Sequence, residues 1–364
     1  MKPASNDMKR RHRVALIGNL GASELQLNGQ TLRTRLVRDQ FIRRLGSSRV
    51  STADTAQIGR RPLWVLVALH RCFRDCEVVC IMLGQRGLRI LIPLLAWWRR
   101  IYGREVHYLV VGGWLPAFLA DKPGLCRRVG KLDGLHVQSG RMERDLRQLG
   151  ITRVEYLPNF RDFSATPLSE SKLEHQEGTE LKLVFLSRVI PEKGLALCVQ
   201  AVKEINSAPD SLRVSLSIYG PVSDAYQQWL GELLRICPGS VNYQGPLEPQ
   251  KVVGTLSDYD VLLFPTWYSG EGFPGVIVEA YAAGIPVIAS DWQDNGEAVE
   301  SGVTGQLVKT GDEKALREAI IRLLEQPALL IRMKQAARER GLRYHVDEVI
   351  PGLLGRLSLS GKDQ

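Results

Sequence analysis

The segment Gly270, Glu271, Gly272, Phe273, Pro274, Gly275 follows an apolar run at 261–265 and opens a helical pattern at 276–283. Read literally it is Gly-x-Gly-x-x-Gly, and Asp291 stands 21 residues after Gly270, as in a dinucleotide-binding fingerprint. That fingerprint belongs in the first strand-to-helix turn of its domain. Here the segment lies deep in the chain, with the carboxylate of Glu271 beside the place where a pyrophosphate would rest. What the segment does offer is a helix start, whose free backbone N–H groups can bind an anion or sugar oxygens. Glu271 stands just before that helix and Glu279 lies within it, eight residues later. One carboxylate can therefore reach the centre of a cleft while the other touches a group about one helical turn deeper.

A second site is expected at 186–194, where a strand ends in a loop bearing Arg188 and Lys193 and then enters a helix. Arg188, with forked donors, and Lys193, as a point charge, can converge on a diphosphate. Taken alone, the same pair reads more readily as two solvated surface cations. Near the N-terminus the run 14–18 passes into Asn19, Leu20, Gly21, and the loop continues to Asn28, Gly29, Gln30. Its glycines permit backbone to approach a ligand closely, and they equally suit an ordinary strand-to-helix turn.

Other constellations point elsewhere. Asp258, Tyr259, Asp260 spells the Asp-x-Asp of metal-dependent transferases, yet it directly precedes the run 261–265, where a carboxylate ends a helix; no metal is expected. Glu271 and Glu279 could be the acid and nucleophile of a glycosidase, which needs carboxyls about 5 to 9.5 Å apart. The neighbouring cations argue against hydrolysis. Cys72, Cys76 and Cys80 fall four apart, but 77–82 reads as a strand entering a core, and six scattered cysteines give no disulfide framework. A reducing compartment fits. His107 and His136 read as core or surface histidines.

These groups must be held by a folded chain, and 364 residues suffice for about two domains. The composition, 44% hydrophobic and 24% charged, excludes a collagen or a disordered tail. Short apolar runs alternate with helical patterns in both halves, as in parallel sheets wrapped in helices. Strands are expected at 13–18, 77–83, 106–111, 134–138 and 154–157, then at 182–187, 214–219, 241–244, 261–265, 286–290 and 305–308. The polar stretch 164–180 reads as a linker. The expected architecture is α/β: two doubly wound Rossmann-like domains facing across a cleft. The first is 1–163, rejoined by helices from about 344–364, and the second is 181–343.

The net charge of +9 divides unevenly, at +16 over residues 1–162 and −7 over 163–364. A first half so basic is expected to meet something anionic, and without a binding motif nucleic acid is not expected. Arg86 and Arg89, the apolar run 90–98 with Trp97 and Trp98, then Arg99 and Arg100, together with Arg60, Arg61, Trp64 and Arg71, suit helices resting in a membrane interface. A buried core helix suits the run as well. Nine residues containing Pro93 fall short of the roughly 20 that span a bilayer, and the apolar run after the basic N-terminus is too short for a signal peptide. The expected location is cytoplasmic, with peripheral contact on the anionic inner face of the membrane.

Taken together, FLSRVIPEKG, FPTWYSGEGFPGVIVEAYAAGIPVIASD and ESGVTGQLV resemble the donor domain of a GT-B glycosyltransferase of family 4, over about 181–309. NGQTLRTR, LVVGGWLPAFL and RDLRQLGITRVEYLPNF resemble the acceptor domain of family members that build surface polysaccharides. The resemblance implies a retaining, metal-independent transfer from a nucleotide-diphosphate sugar to a glycan or lipid-linked acceptor, with no cofactor. It implies that Glu271 contacts donor-sugar hydroxyls and Glu279 the ribose. The amides of Gly272, Phe273 and Gly275 would line the sugar and phosphate pocket, and Arg188 and Lys193 would bind the diphosphate. The turn at Asn28 and Gly29 would lie under the donor phosphates. Many members carry a histidine in the acceptor domain where this chain has Val110, Val111, Gly112, Gly113, Trp114. No side-chain base is therefore assigned, and Gly113 and Trp114 are the expected acceptor-side contacts. The rival readings are an epimerase or hydrolase on the same scaffold, or a non-catalytic nucleotide-sugar or glycan-binding protein.

Overall fold

The computed structural model describes residues 14–21, 29–163, 180–208 and 213–359. They divide into two compact units. One runs as far as Leu157 and takes the chain back from Ile350, and the other spans Pro158–Val349. The return was expected from about Tyr344, and 158–163 was expected with the first domain.

The first unit is a six-stranded parallel sheet built from β1 (Val14–Gly18), β2 (Val50–Asp54), β3 (Val78–Met82), β4 (Glu105–Leu109), β5 (Gly134–Val137) and β6 (Val154–Tyr156). Its order is β2-β1-β3-β4-β5-β6. Its helices are α1 (Gly29–Leu45), α2 (Pro62–Asp75), α3 (Gln85–Tyr102), α4 (Leu115–Ala120), α5 (Pro123–Val129) and α6 (Gly140–Gln148). Both β1 and β3 are buried along their whole length, which is why they read as unbroken apolar runs rather than alternating ones. The expected set lacked β2. Its sequence, Val-Ser-Thr-Ala-Asp, sits at the sheet edge with only Ala53 fully buried, so no apolar run announces it.

The second unit has six parallel strands, β7 (Leu181–Leu186), β8 (Val214–Tyr219), β9 (Val241–Gly245), β10 (Val261–Phe264), β11 (Val287–Ser290) and β12 (Gly305–Val308), in the order β12-β11-β10-β7-β8-β9. Its helices are α7 (Leu195–Asn206), α8 (Asp224–Leu234), α9 (Val252–Leu256), α10 (Gly275–Ala282), α11 (Asn295–Ala298), α12 (Glu313–Glu325) and α13 (Pro327–Leu342). The last helix, α14 (Val346–Arg356), begins in this unit and ends in the first. From β7 the chain moves outward through β8 and β9, then reverses to β10 on the other side. The strand order therefore switches between β7 and β10. In a doubly wound sheet ligands bind in the crevice outside the carboxyl ends of the strands at such a point. The loops leaving there are 187–194 and 265–274.

Buried charge fixes the register at the opposite, amino ends of the same strands. Asp260 accepts the Lys182 N–H at 2.8 Å and pairs with Lys334 of α13 at 2.7 Å. The second carboxylate of Asp-x-Asp thus ties β7 and β10 to a helix. Among the described residues no three His, Cys, Asp or Glu side chains gather as a metal would need. In the first unit Cys72, Cys76 and Cys80 are all buried, and burial pushes the Cys72 thiol up to about 12.

His107 and His136, on adjacent strands β4 and β5, stack with ring centroids 5.3 Å apart and share a hydrogen bond of 3.1 Å between Nδ1 and Nε2. Both are buried. Burial, and then the neighbouring His107 and Arg356, pushes His136 down to about 3, and burial also lowers His107. A histidine held neutral in the fold binds fewer protons than in the unfolded chain, so its contribution is complete above the unfolded value near 6.5 and lost below it. We expect stability to fall as the pH drops from about 6.5 toward 3, by up to about 1.4 kcal/mol per pH unit for one such group. Urea unfolding at pH 7 and pH 5 checks this, and His136→Gln should flatten the slope.

Candidate active site in the second unit

The carboxyl end of β7 turns through Ser187 and Arg188 into a single 3-10 turn, Pro191–Lys193, before α7. Gly194 ends that turn with φ of +80°, and a Cβ there would lie 2.2 Å from the Pro265 carbonyl oxygen. Only glycine lets this loop lie against the one leaving β10. The contact is reinforced by the Glu192 carbonyl, which accepts the Trp267 N–H at 2.8 Å and the Thr266 hydroxyl at 3.2 Å. Two loops from the two sides of the switch point are thereby joined.

Their side chains meet. Lys193 is 6% exposed, and its ammonium forms an ion pair with Glu271. The Thr266 hydroxyl lies 3.5 Å from the same carboxylate oxygen. The Lys193 Nζ lies 5.0 Å from the Tyr268 ring centroid and 5.5 Å from that of Phe264. The Arg188 guanidinium lies 5.1 Å from the Tyr268 centroid. Both cations therefore use one aromatic ring, an arrangement that favours positive charge through the ring's quadrupole. Tyr268 is itself fixed, because its carbonyl accepts from the Trp292 indole at 2.9 Å and from the Glu271 N–H at 3.1 Å. The structure brings Arg188, Lys193 and Glu271 together; Thr266 and Tyr268, which hold them, were not singled out in the sequence although they stand inside the same segment.

Glu279 lies on α10 and has a different partner. Arg161, from the start of the second unit, donates from Nε to Glu279 at 2.6 Å and from Nη1 to the Asn159 side chain at 3.1 Å. Asn159 in turn donates to the Phe273 carbonyl at 3.2 Å. The guanidinium crosses the start of α10 so closely that a Cβ on Gly275 would fall 1.8 Å from Nη2. Gly275 is thus the residue that lets Arg161 reach Glu279. Phe273 turns its ring into the core against Tyr344, at 5.6 Å between centroids, leaving only its backbone for a ligand. No backbone hydrogen bond among the described residues uses the amides of Gly272, Phe273 or Gly275. They remain donors at a helix start.

The remaining expected residues belong to the first unit. Gly29 is the exposed first residue of α1, and Asn28 lies outside the described residues. The neighbouring Gln30 amide reaches the Met82 carbonyl at 3.4 Å, across the β1–β3 switch of that sheet. The loop at Leu20 and Gly21 is approached by the chain's own Arg35, which donates to both carbonyls, at 2.6 and 3.1 Å. Gly113 is half-buried, and the Trp114 indole N–H is held by the Val111 carbonyl at 2.8 Å with the ring edge-on to Phe118. An acceptor would meet the ring of Trp114 rather than its donor.

Chemically, the buried, paired ammonium of Lys193, the exposed guanidinium of Arg188, a carboxylate and a row of free amides at a helix start suit an anion that carries polar hydroxyls. The pairing of Arg161 with Glu279 is testable by itself. Arg161→Ala and Glu279→Gln should each cost about 1 to 3 kcal/mol, and the double variant less than their sum, because a partly buried pair is removed once. Additive losses in urea unfolding would contradict it.

Comparison with known proteins agrees in fold and sequence. Residues 180–326 match the sequence model of the family described as glycosyl transferases group 1. A GDP-mannose-dependent monoacylated alpha-(1-6)-phosphatidylinositol monomannoside mannosyltransferase of Corynebacterium glutamicum is 31% identical over 206 residues, 53% of this chain and 51% of that protein. The amylovoran biosynthesis glycosyltransferase AmsK of Erwinia amylovora is 25% identical over 165 residues, 44% of this chain and 40% of the relative. The match spans about half or less of these curated relatives. Among solved structures, Anabaena Alr3699/HepE in complex with UDP has a TM-score of 0.71 at 17% identity, covering 95% of this chain and 99% of its own. Sucrose-phosphate synthase from Thermosynechococcus elongatus has a TM-score of 0.74 at 18% identity, over 96% and 100%. The fold class is GT-B, with two parallel six-stranded sheets flanked by helices.

Proposed function

We propose, from the match of residues 180–326 to the group 1 glycosyl transferase family, that this chain moves a sugar from a nucleotide-diphosphate sugar to a hydroxyl acceptor. In this reading transfer retains anomeric configuration, needs neither metal ion nor cofactor, and serves surface polysaccharide synthesis at the cytoplasmic face of the membrane. The acceptor is a lipid-linked glycan. The observation that carries the reading is the convergence of Lys193, Arg188 and Glu271 around Tyr268 at the switch point of the second sheet.

Breaking the bond between the anomeric carbon and the diphosphate leaves negative charge on the departing oxygen. Arg188 and Lys193 stabilise that charge, and the free amides at the start of α10 add to it. Glu271 accepts hydrogen bonds from sugar hydroxyls and sets the sugar against the cations. Glu279, fixed by Arg161, accepts from the ribose. With no base assigned, the acceptor's proton passes to the departing phosphate as its hydroxyl attacks on the same face. The relatives named for phosphatidylinositol mannoside and amylovoran synthesis support a lipid-anchored or polysaccharide acceptor.

Thermal shift across UDP-, GDP-, ADP- and CDP-sugars identifies the donor, since a ligand of the folded state raises its stability. With that donor and a lipid-linked acceptor, Glu271→Gln should lower kcat by about 100- to 1,000-fold. Its affinity for the free nucleoside diphosphate should hold or rise, because a carboxylate competing for Lys193 has been removed. Multiple-turnover hydrolysis or epimer formation without acceptor would favour the rival enzymes, and full activity of Glu271→Gln would exclude the assigned role.

A further inference from the structure

The first unit carries an apolar face that its own fold leaves uncovered. Helices α2 and α3 pack on each other through their inner sides: His70 bonds the Tyr102 hydroxyl at 2.7 Å and sits edge-on to Trp98, which also meets Phe73. Trp98 is accordingly 8% exposed and belongs to the core. Its sequence neighbour Trp97 is 59% exposed. The sequence run that suited a membrane helix and a core helix alike therefore has one side in the core and the other exposed. Along the outer side of α3, Arg86, Ile90, Pro93, Trp97 and Ile101 follow one another three or four residues apart, a single stripe on an α-helix. Ile90 is 64% and Ile101 55% exposed. The first turns of α2 add Leu63, Trp64 and Val67, all exposed.

Charge identifies what this face meets. Residues 60–104 hold nine arginines, no lysine and two carboxylates, Asp75 and Glu77. Asp75 pairs with Arg74 at 2.7 Å, and Arg99 turns inward to Asp133. No ion pair among the described residues engages Arg86, Arg89 or Arg100, which flank the apolar stripe, or Arg60 and Arg61 at the start of α2. A protein partner would have to supply apolar contact and many carboxylates together. An anionic bilayer supplies both as a continuous surface. No helix among the described residues is long and apolar enough to cross it.

We infer that the outer faces of α2 and α3 dock the chain on an anionic phospholipid surface, with Trp64, Trp97, Ile90 and Ile101 in the interface and the flanking arginines on headgroup phosphates. The inference goes beyond the transfer reaction and does not require it: it rests on exposure and charge in the first unit alone. Apolar contact supplies insertion, and arginine supplies selectivity for anionic lipid and sensitivity to salt.

The full chain is floated with vesicles of phosphatidylcholine containing phosphatidylglycerol, and with phosphatidylcholine alone, without donor or acceptor. The chain should float with the anionic vesicles at low salt, stay behind with the neutral ones, and lose binding as salt rises. Trp97→Ser/Ile90→Ser should weaken partitioning by roughly tenfold or more, and Arg86→Gln/Arg89→Gln/Arg100→Gln should remove the preference for anionic lipid. Circular dichroism melts confirm that each variant folds, and if the apolar variant does not, the arginine variant decides. Equal flotation of folded variants and wild type, or no flotation on anionic vesicles, overturns the inference. So does a wild-type dimer in solution that Trp97→Ser/Ile90→Ser converts to monomer, since the face would then belong to a second copy. Because flotation is read without turnover, a failure of the proposed transfer leaves this result standing on its own.

Discussion

The ion pair of Lys193 and Glu271 is the constraint on which the second unit's site depends. A lysine almost wholly removed from water must keep a partner, and removing one member of such a pair costs about 3 to 5 kcal/mol. Here the partner comes from another loop, 78 residues away. The pair therefore holds a buried cation between the two loops that leave β7 and β10. Tyr268 adds Arg188 to the same place, and the backbone of Glu192 holds the two loops at the distance the pair needs.

That convergence follows from topology. In a doubly wound sheet two neighbouring strands send their connections in opposite directions at one point, leaving a gap above their carboxyl ends. In the second unit those strands are β7 and β10, and the residues at their ends are Ser187 to Gly194 and Pro265 to Gly275. Asp260 and Lys334 fix β10 against β7 and α13 from below. The Asp-x-Asp spelling thus marks a structural brace. Arg161 performs the corresponding service on the other side of α10, where Gly275 clears its way to Glu279.

Much of this was legible in the sequence because buried parallel strands are unbroken apolar runs. Strands β1, β3, β5, β10 and β11 were readable in that way, while β8 and β9 were marked by alternation and by their place between helical patterns. The edge strand β2, polar and half-exposed, was not. At the site, the residue types and their order along the chain were legible, since a strand end, a cation, a glycine and a helix start are local features. Their partners were not. Arg161 lies 118 residues from Glu279 and just before the polar stretch read as a linker, and nothing in its surroundings announces a pairing. Likewise the sequence presents Trp97 and Trp98 as equals, and only the packing of His70 and Phe73 against one of them separates the outer face from the core.

The central claim is that the ammonium of Lys193, poised by Glu271, receives a diphosphate. Titration calorimetry of UDP and GDP against Lys193→Met/Glu271→Gln tests it most directly, because the neutral pair keeps the shape of the site and leaves no buried charge alone. A loss of roughly tenfold or more in affinity for the nucleotide that wild type binds, with thermal stability retained, is the result this account predicts. Unchanged affinity in the folded double variant would contradict it.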